Sequence, residues 1–228
     1  MSTIQTFELL MNDRLRDAKG LIEQDDKHKA IQQALKAYNK ERPRELVQDY
    51  SGDGATFDLT LPASWAAEFS LVRSIEYPVG QREPVLLERT DWAVYRTPSG
   101  QVLRLQVTPQ TGETARVTYT APHAVDFSSS TVFAQDEEAV ADLAASIGLR
   151  DLATIFASKQ DATIAADSVD HQSKAREFLK LADVLETRYR EHVGIGMTTP
   201  VQAASTFVDV DQQGPGQGDK LTHPNRYR

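Results

Sequence analysis

Residues 135–193 read QDEEAVADLAASIGLRDLATIFASKQDATIAADSVDHQSKAREFLKLADVLETRYREHV. From about Asp136 to Lys159, Val140, Leu143, Ala144, Ile147, Leu152, Ile155 and Phe156 recur at steps of three, four or five, which puts them on one stripe of a helix. From about Asp170 to His192 a second stripe runs through Ala175, Phe178, Ala182, Leu185, Tyr189 and Val193. Its alternating steps of three and four make the narrow seam by which one helix packs along another. Asp136, Glu137 and Glu138 crowd the first turn of the first helix, where the dipole favours negative charge. Asp167, Ser168 and Asp170 offer N-caps to the second, and Gly194 stands where a left-handed residue closes it. The spacing predicts a helical hairpin. Both stripes have a plain reading as hydrophobic core and a sharper one in which part of these faces packs against another copy of the chain.

Ahead of the hairpin the pattern changes twice. Residues 1–45 read as two helices of the same bundle. Ile4, Phe7, Leu10, Met11, Leu15 and Ala18 form one apolar face with Gly20 as a stop, and Ala30, Ile31, Ala34, Leu35 and Tyr38 form the other. The second should end before Pro43, because a residue preceding proline avoids the helical region. At about Glu45 the period drops to two. Strands are expected around Leu46–Tyr50, Phe57–Leu61, Leu71–Tyr77, Pro84–Glu88, Trp92–Arg96, Val102–Val107 and Ala115–Ala121, with turns at Ser51–Gly54, Thr97–Gly100 and Gln110–Glu113. Trp65 and Phe69, on a helical turn between strands, are placed as lids on that core. Residues 46–125 thus read as a β-rich insertion, an antiparallel sandwich or small barrel. Residues 126–193 return to the hairpin and complete the bundle, so the fold class is α+β. Residues 194–228 carry glycines and prolines with sporadic apolar residues and read as an extended C-terminal arm. Within it, Val201–Val210 could add as a strand to a sheet edge.

Composition narrows the function classes. At 228 residues with 40% hydrophobic and 25% charged, the chain suits one domain with an insertion or two small ones. No apolar run approaches the ~20 residues that span a bilayer, and MSTIQTFELLMNDRLRD lacks the layout of a secretory signal. The absence of cysteine excludes disulfides, thiol catalysis and Cys-based metal sites, and it suits a reducing cytosol. Formal charge is +1 over residues 1–45, −4 over 46–133, −5 over 134–193 and zero over 194–228. An acidic body lacks the basic stripe of a DNA-gripping protein, although it suits a wall that DNA passes without sticking. The insertion holds six arginines and no lysine. Arginine favours bidentate contacts, so ion pairs between subunits are conceivable beside an ordinary solvated surface.

Residue types that do chemistry are scattered. Asp167, Asp170 and His171 have ligand-like types at a spacing that matches no zinc or calcium pattern. His123, Asp126 and Ser128 hold the types of a hydrolase triad, but triads are defined by geometry and not by nearness in sequence. Gly214–Gly218 lacks the strand, helix and Lys-Ser/Thr ending of a phosphate loop. No catalytic, cofactor-binding or metal residue is expected, and the chain reads as a non-enzyme.

The order of segments resembles the head–tail adaptor (connector, or head-completion) proteins of tailed bacteriophages and gene transfer agents. The resembling stretches are Ala30–Pro43 (AIQQALKAYNKERP), Tyr50–Gly54 (YSGDG), Leu61-Pro62 with Trp65, Ile75–Pro78 (IEYP), Val140–Ala145 (VADLAA) and Asp167–Tyr189 (DSVDHQSKAREFLKLADVLETRY). The resemblance implies a helical bundle with a β insertion that assembles with copies of itself into a ring, usually twelve-fold. Such a ring docks beneath the portal protein, meets a stopper, neck or tail protein below, and extends a channel through which DNA passes unread. The implied location is the virion neck, after synthesis in the host cytoplasm. The implied portal-binding arm includes Val201, Phe207, Val208, Val210, Arg226, Tyr227 and Arg228, and the subunit-packing helix includes Phe178, Leu181, Leu185 and Tyr189. Two other readings stand beside it. One is a β-sandwich module binding carbohydrate through exposed Trp92, Tyr95 and Tyr119. The other is a different neck or tail component, such as a stopper or tail terminator.

Overall fold

The computed structural model describes residues 2–15, 20–98, 100–158 and 171–194. The N-caps expected at Asp167, Ser168 and Asp170, together with Ala18 and the arm beyond Gly194, lie outside the described residues.

Four helices build the bundle: α1 (Ile4–Leu15), α2 (Gln24–Glu41), α3 (Glu137–Ser158) and α4 (His171–Val193). α3 follows a short 3-10 turn at Ala134–Asp136 and carries Glu137 and Glu138 in its first turn, on the positive end of its dipole. α4 carries Arg190 and His192 in its last turn, at the negative end. It closes on Gly194, whose φ of 83° lets its amide reach back to the Arg190 carbonyl at 2.9 Å. α2 stops at Glu41, just ahead of Pro43.

α3 departs from a one-sided stripe. Besides the expected Val140, Leu143, Ala144, Leu152 and Phe156, it buries Ala139, Ala141, Ala145, Ser146, Gly148, Leu149 and Ala153. α1, α2 and α4 all pack on it, so it is the central element of the bundle. Its small residues are what make this possible, because they let neighbouring helices approach on several sides at once. One core joins Phe7, Met11, Ile31, Tyr38, Val140, Leu149, Leu185 and Tyr189. Ion pairs staple the rim, with Arg14 reaching Asp142 and Glu138, and Arg150 reaching Glu186 and Asp183.

Between α2 and α3 lie β1 (Arg44–Ser51), β2 (Asp58–Thr60), β3 (Val72–Glu76), β4 (Trp92–Thr97), β5 (Gly100–Leu105) and β6 (Thr114–Ala121). They form two antiparallel three-stranded sheets, in the orders β1-β6-β3 and β2-β5-β4. The small-barrel alternative is therefore corrected: the sheets do not close on one another through hydrogen bonds. They share a core of Leu59, Ile75, Trp92, Leu103, Leu105 and Val117, to which both contribute. Alternation accounts for this. On β6 Ala115, Val117 and Tyr119 point inward, and register Arg44↔Ala121 through Ser51↔Thr114 fixes β1 against it. The strand expected at 84–88 is reduced to one bridge, Glu76↔Leu86. Pro84 brings no amide, and only Val85 and Leu87 exchange backbone bonds with Tyr77 and Ile75.

Two glycines without positive φ sit at close approaches of different kinds. A Cβ on Gly52 would fall against backbone, 2.6 Å from the Pro109 carbonyl. A Cβ on Gly148 would meet the free end of the Met11 side chain at 2.8 Å. Backbone cannot step aside, whereas a methionine can change rotamer. Gly52→Ala is expected to destabilise by about 1–3 kcal/mol. Gly148→Ala should cost less than that, because the helix gains roughly 1 kcal/mol in propensity. Urea titration of both variants checks the order, and a larger loss at Gly148 would overturn it.

Candidate assembly surface

Around Asp136 the bundle, the root of the insertion and the end of α4 are tied together. The Asp136 side chain is 0% exposed. Tyr38 Oη donates to it at 2.6 Å, Arg42 Nη1 at 2.8 and 2.9 Å, and His192 Nε2 lies 2.7 Å from Oδ1. Burial works to raise its pKa, but the bonds from Tyr38, His192 and Arg42 outweigh that and hold the carboxyl below the ordinary range. The Tyr38 hydroxyl is pushed up by burial and by its bond to this carboxylate. Beside it His123 sits in the core with Nδ1 2.6 Å from the Thr131 carbonyl and Nε2 3.0 Å from the Arg42 carbonyl. Burial lowers its pKa. Asn39 completes the joint by accepting from the His123 amide at 2.7 Å and donating to its carbonyl at 3.2 Å. Tyr189 reaches Glu41 across the same junction. Sequence reading assigned Asp136 only to a helix dipole; its role as an anchor is visible only when α2 and α4 converge on it.

Among the described residues, chemistry-bearing side chains do not come together into a catalytic or metal-binding cluster elsewhere. Asp126 accepts from the Ser128 and Ser129 amides and from the Ser128 hydroxyl, all at 2.7 Å, which is a local turn. His123 faces the carbonyls named above, so His123, Asp126 and Ser128 are not aligned as a triad. His28 pairs with Glu8. Among the described residues no group of three or more histidines, cysteines or carboxylates could hold a metal ion. Asp167 and Asp170 lie outside the described residues, as does His223.

On the outside of α4 the four residues assigned to subunit packing separate. Leu185 and Tyr189 are buried in the chain's own core and Phe178 packs against it, 5.4 Å from Phe156. Leu185 and Tyr189 face the bundle, and Phe178 is partly buried against it. Leu181 remains outward, 40% exposed, and Val184, one turn along, is 48% exposed. Leu179, on the opposite shoulder of the helix, is 43% exposed. Val184 and Leu179 were not selected from the sequence; like Leu181 they fall off the seam. That departure from the period was itself the available signal. The arm residues Val201, Phe207, Val208, Val210, Arg226, Tyr227 and Arg228 lie outside the described residues.

The aromatic residues of the insertion do not form an open platform. Trp92 and Tyr119 are buried, and half-exposed Tyr95 carries the Arg104 guanidinium 4.0 Å over its ring. The same Arg104 makes a bidentate pair with Asp58 at 2.7 Å, and Arg116 makes one with Asp49 at 2.8 and 2.9 Å. These arginines work within the chain.

No family model matches the sequence, and no curated protein matches it. Among solved structures, one chain of "Neck of empty GTA particle computed with C6 symmetry" is similar, with 16% identity and a TM-score of 0.29. The alignment covers 77% of this chain and 87% of that one. A likeness of that size fixes neither fold nor role. Among the described residues no helix is long and apolar enough to cross a membrane.

Removing one partner of a buried ion pair leaves the others uncompensated. Asp136→Asn should cost about 3 kcal/mol at neutral pH. The sign with pH follows from the depressed folded pKa. The carboxylate's contribution is fully present above the ordinary value of 3.8 and is lost as pH falls through the lower folded value. The gap between wild type and variant, measured by urea unfolding, should therefore narrow below about pH 4. A gap unchanged from neutral pH down to about pH 2 would contradict this.

Proposed function

We propose that this chain is a structural component of a phage-like neck, a subunit that assembles with copies of itself into a ring around the DNA path beneath a portal. The observation that carries the reading is the two-sidedness of α4. Its inner seam is filled by its own bundle, while Leu181 and Val184 stand partly exposed on the outer side. Apolar side chains left exposed among charged ones are what a heterologous, ring-closing contact uses, in which one surface of a subunit meets a different surface of the next. The resemblance of segment order to head–tail adaptors supports the same reading. So does the net charge of −8, which suits a channel wall that must not hold DNA.

In this mechanism α4 presents its outer side to the adjacent subunit, and the Asp136 joint keeps the helix end at a fixed angle to the insertion. The segment after Gly194 reaches the portal, with Val201, Phe207, Val208 and Val210 as its apolar contacts and Arg226, Tyr227 and Arg228 at its end. Function is then assembly, with no bond made or broken. Because the contacts are few and separate, each can be removed without unfolding the subunit.

Leu181→Asp with Val184→Asp should leave the helical circular dichroism and melting temperature unchanged within a few degrees. The same variant should abolish rings seen by electron microscopy when the protein is mixed with portal. Deleting residues 197–228 should leave a folded subunit that no longer binds portal rings. Portal binding at wild-type level by the deletion variant would remove the arm's role. Intact rings from the aspartate pair would remove the helix's role.

A further inference from the structure

Beside its inner seam, α4 carries a second one. Glu177, Leu181, Val184, Arg188 and Glu191 follow one another at steps of four, three, four and three, and all five are exposed. Lys180, also exposed, stands one turn before Val184. Along the helix the order is therefore acid, cation, two apolar residues, cation, acid. Glu177, Lys180, Arg188 and Glu191 make no ion pair among the described residues, whereas Asp183 and Glu186 of the same helix are held by Arg150. A shallow hollow of about 360 Å³ lies at Val184, walled by Asp183, Thr187, Arg188 and Glu191.

That order constrains what can cover the seam. Like charges facing each other across an interface oppose the contact, so a fitting partner brings apolar side chains to the centre, acids to either side and cations beyond them. The chain itself holds such a stretch. Residues 82–89 read Arg-Glu-Pro-Val-Leu-Leu-Glu-Arg. They are tied along the outer edge of β3, the Tyr77 amide donating to the Val85 carbonyl at 2.9 Å and the Leu87 amide to the Ile75 carbonyl at 2.8 Å. Leu87 packs on the core of the insertion, and Val85 and Leu86 stay 48% and 59% exposed. Glu83 and Glu88 flank them, Arg82 and Arg89 lie outside, and all four are exposed with no ion pair among the described residues.

The dimensions agree. From Lys180 to Arg188 the helix rises roughly 12 Å, and from Glu177 to Glu191 roughly 21 Å. Extended chain covers at most roughly 17 Å from Glu83 to Glu88 and roughly 23 Å from Arg82 to Arg89. Long lysine and arginine stems take up the difference. Both stretches are exposed in the same folded chain, so the contact they fit is one between two copies. We propose, on the reading that copies of this chain assemble, that residues 82–89 of one subunit lie along the outer seam of α4 of the next. Val85 and Leu86 meet Leu181 and Val184, Glu83 and Glu88 meet Lys180 and Arg188, and Arg82 and Arg89 meet Glu177 and Glu191. Because the two surfaces differ, the contact is heterologous and repeats from subunit to subunit, as a ring requires.

The chain has no cysteine, so introduced ones report this contact alone. Val184→Cys and Leu86→Cys are made in separate full-length chains, which are mixed and mildly oxidised. The mixed disulfide should be at least about tenfold more abundant than that between Val184→Cys and Leu9→Cys chains, Leu9 being exposed on α1. Adding Lys180→Glu with Arg188→Glu to the first chain should return it to control level, with helical circular dichroism unchanged. Adding Glu83→Lys with Glu88→Lys to the second chain should then restore it. A yield equal to control, or no restoration, would overturn the proposal. So would Val184→Cys chains that cross-link mainly to one another, which would set α4 against α4. Rings that still form with portal from the Lys180→Glu, Arg188→Glu chain would overturn this contact and leave the neck reading standing. A mixed disulfide lost and restored as expected, in a protein that never binds portal, would do the reverse.

Discussion

A carboxylate with no exposure has to be met on every side by donors, and Asp136 draws them from two distant parts of the chain. Tyr38 and Arg42 come from α2 and the residue that follows it, and His192 comes from the last turn of α4. Asp136 itself precedes α3 directly. One buried charge thus fixes where α2 ends, where α3 starts and where α4 finishes. The pair with Arg42 is not where most stability comes from, since a buried ion pair often does little better than apolar packing. What it imposes is position, because any arrangement that separates the donors leaves the charge without compensation.

That joint also sets the relation between the chain's two cores. The helices close around α3, whose alanines and Gly148 let three partners come near. The sheets close around Leu103, Val117, Trp92 and their neighbours, with side chains from both layers. Between them the chain passes through Arg42–Arg44 on the way out and Ala121–His123 on the way back. There the Asn39–His123 exchange and the His123 ring bonds occupy the backbone groups. The insertion is held at its root by hydrogen bonds that satisfy buried polar groups, while its own body is held by burial.

Surface and core on α4 follow from the same geometry. The bundle fills one seam of the helix, while Leu179, Leu181 and Val184 stay partly exposed on the rest of its surface. The insertion repeats the theme between its sheets, where Leu71 stays exposed after they have packed. At both places apolar side chains stay exposed after the chain's own packing is complete.

The sequence by itself determined the elements. Helical period placed α3 and α4 to within a residue or two of their ends, and alternation placed β1, β3, β4 and β6, because these periods follow from local backbone geometry. Gly194 was legible as a helix stop for the same local reason. Tertiary structure alone decided that α3 is buried all round, that Leu185 and Tyr189 face inward while Leu181 and Val184 face out, and that Asp136 is an anchor. It also reduced 84–88 to a single bridge and arranged six strands into two sheets. Each of these depends on which distant element arrives at a given face, and burial is a property of that meeting and not of any residue's neighbours in sequence.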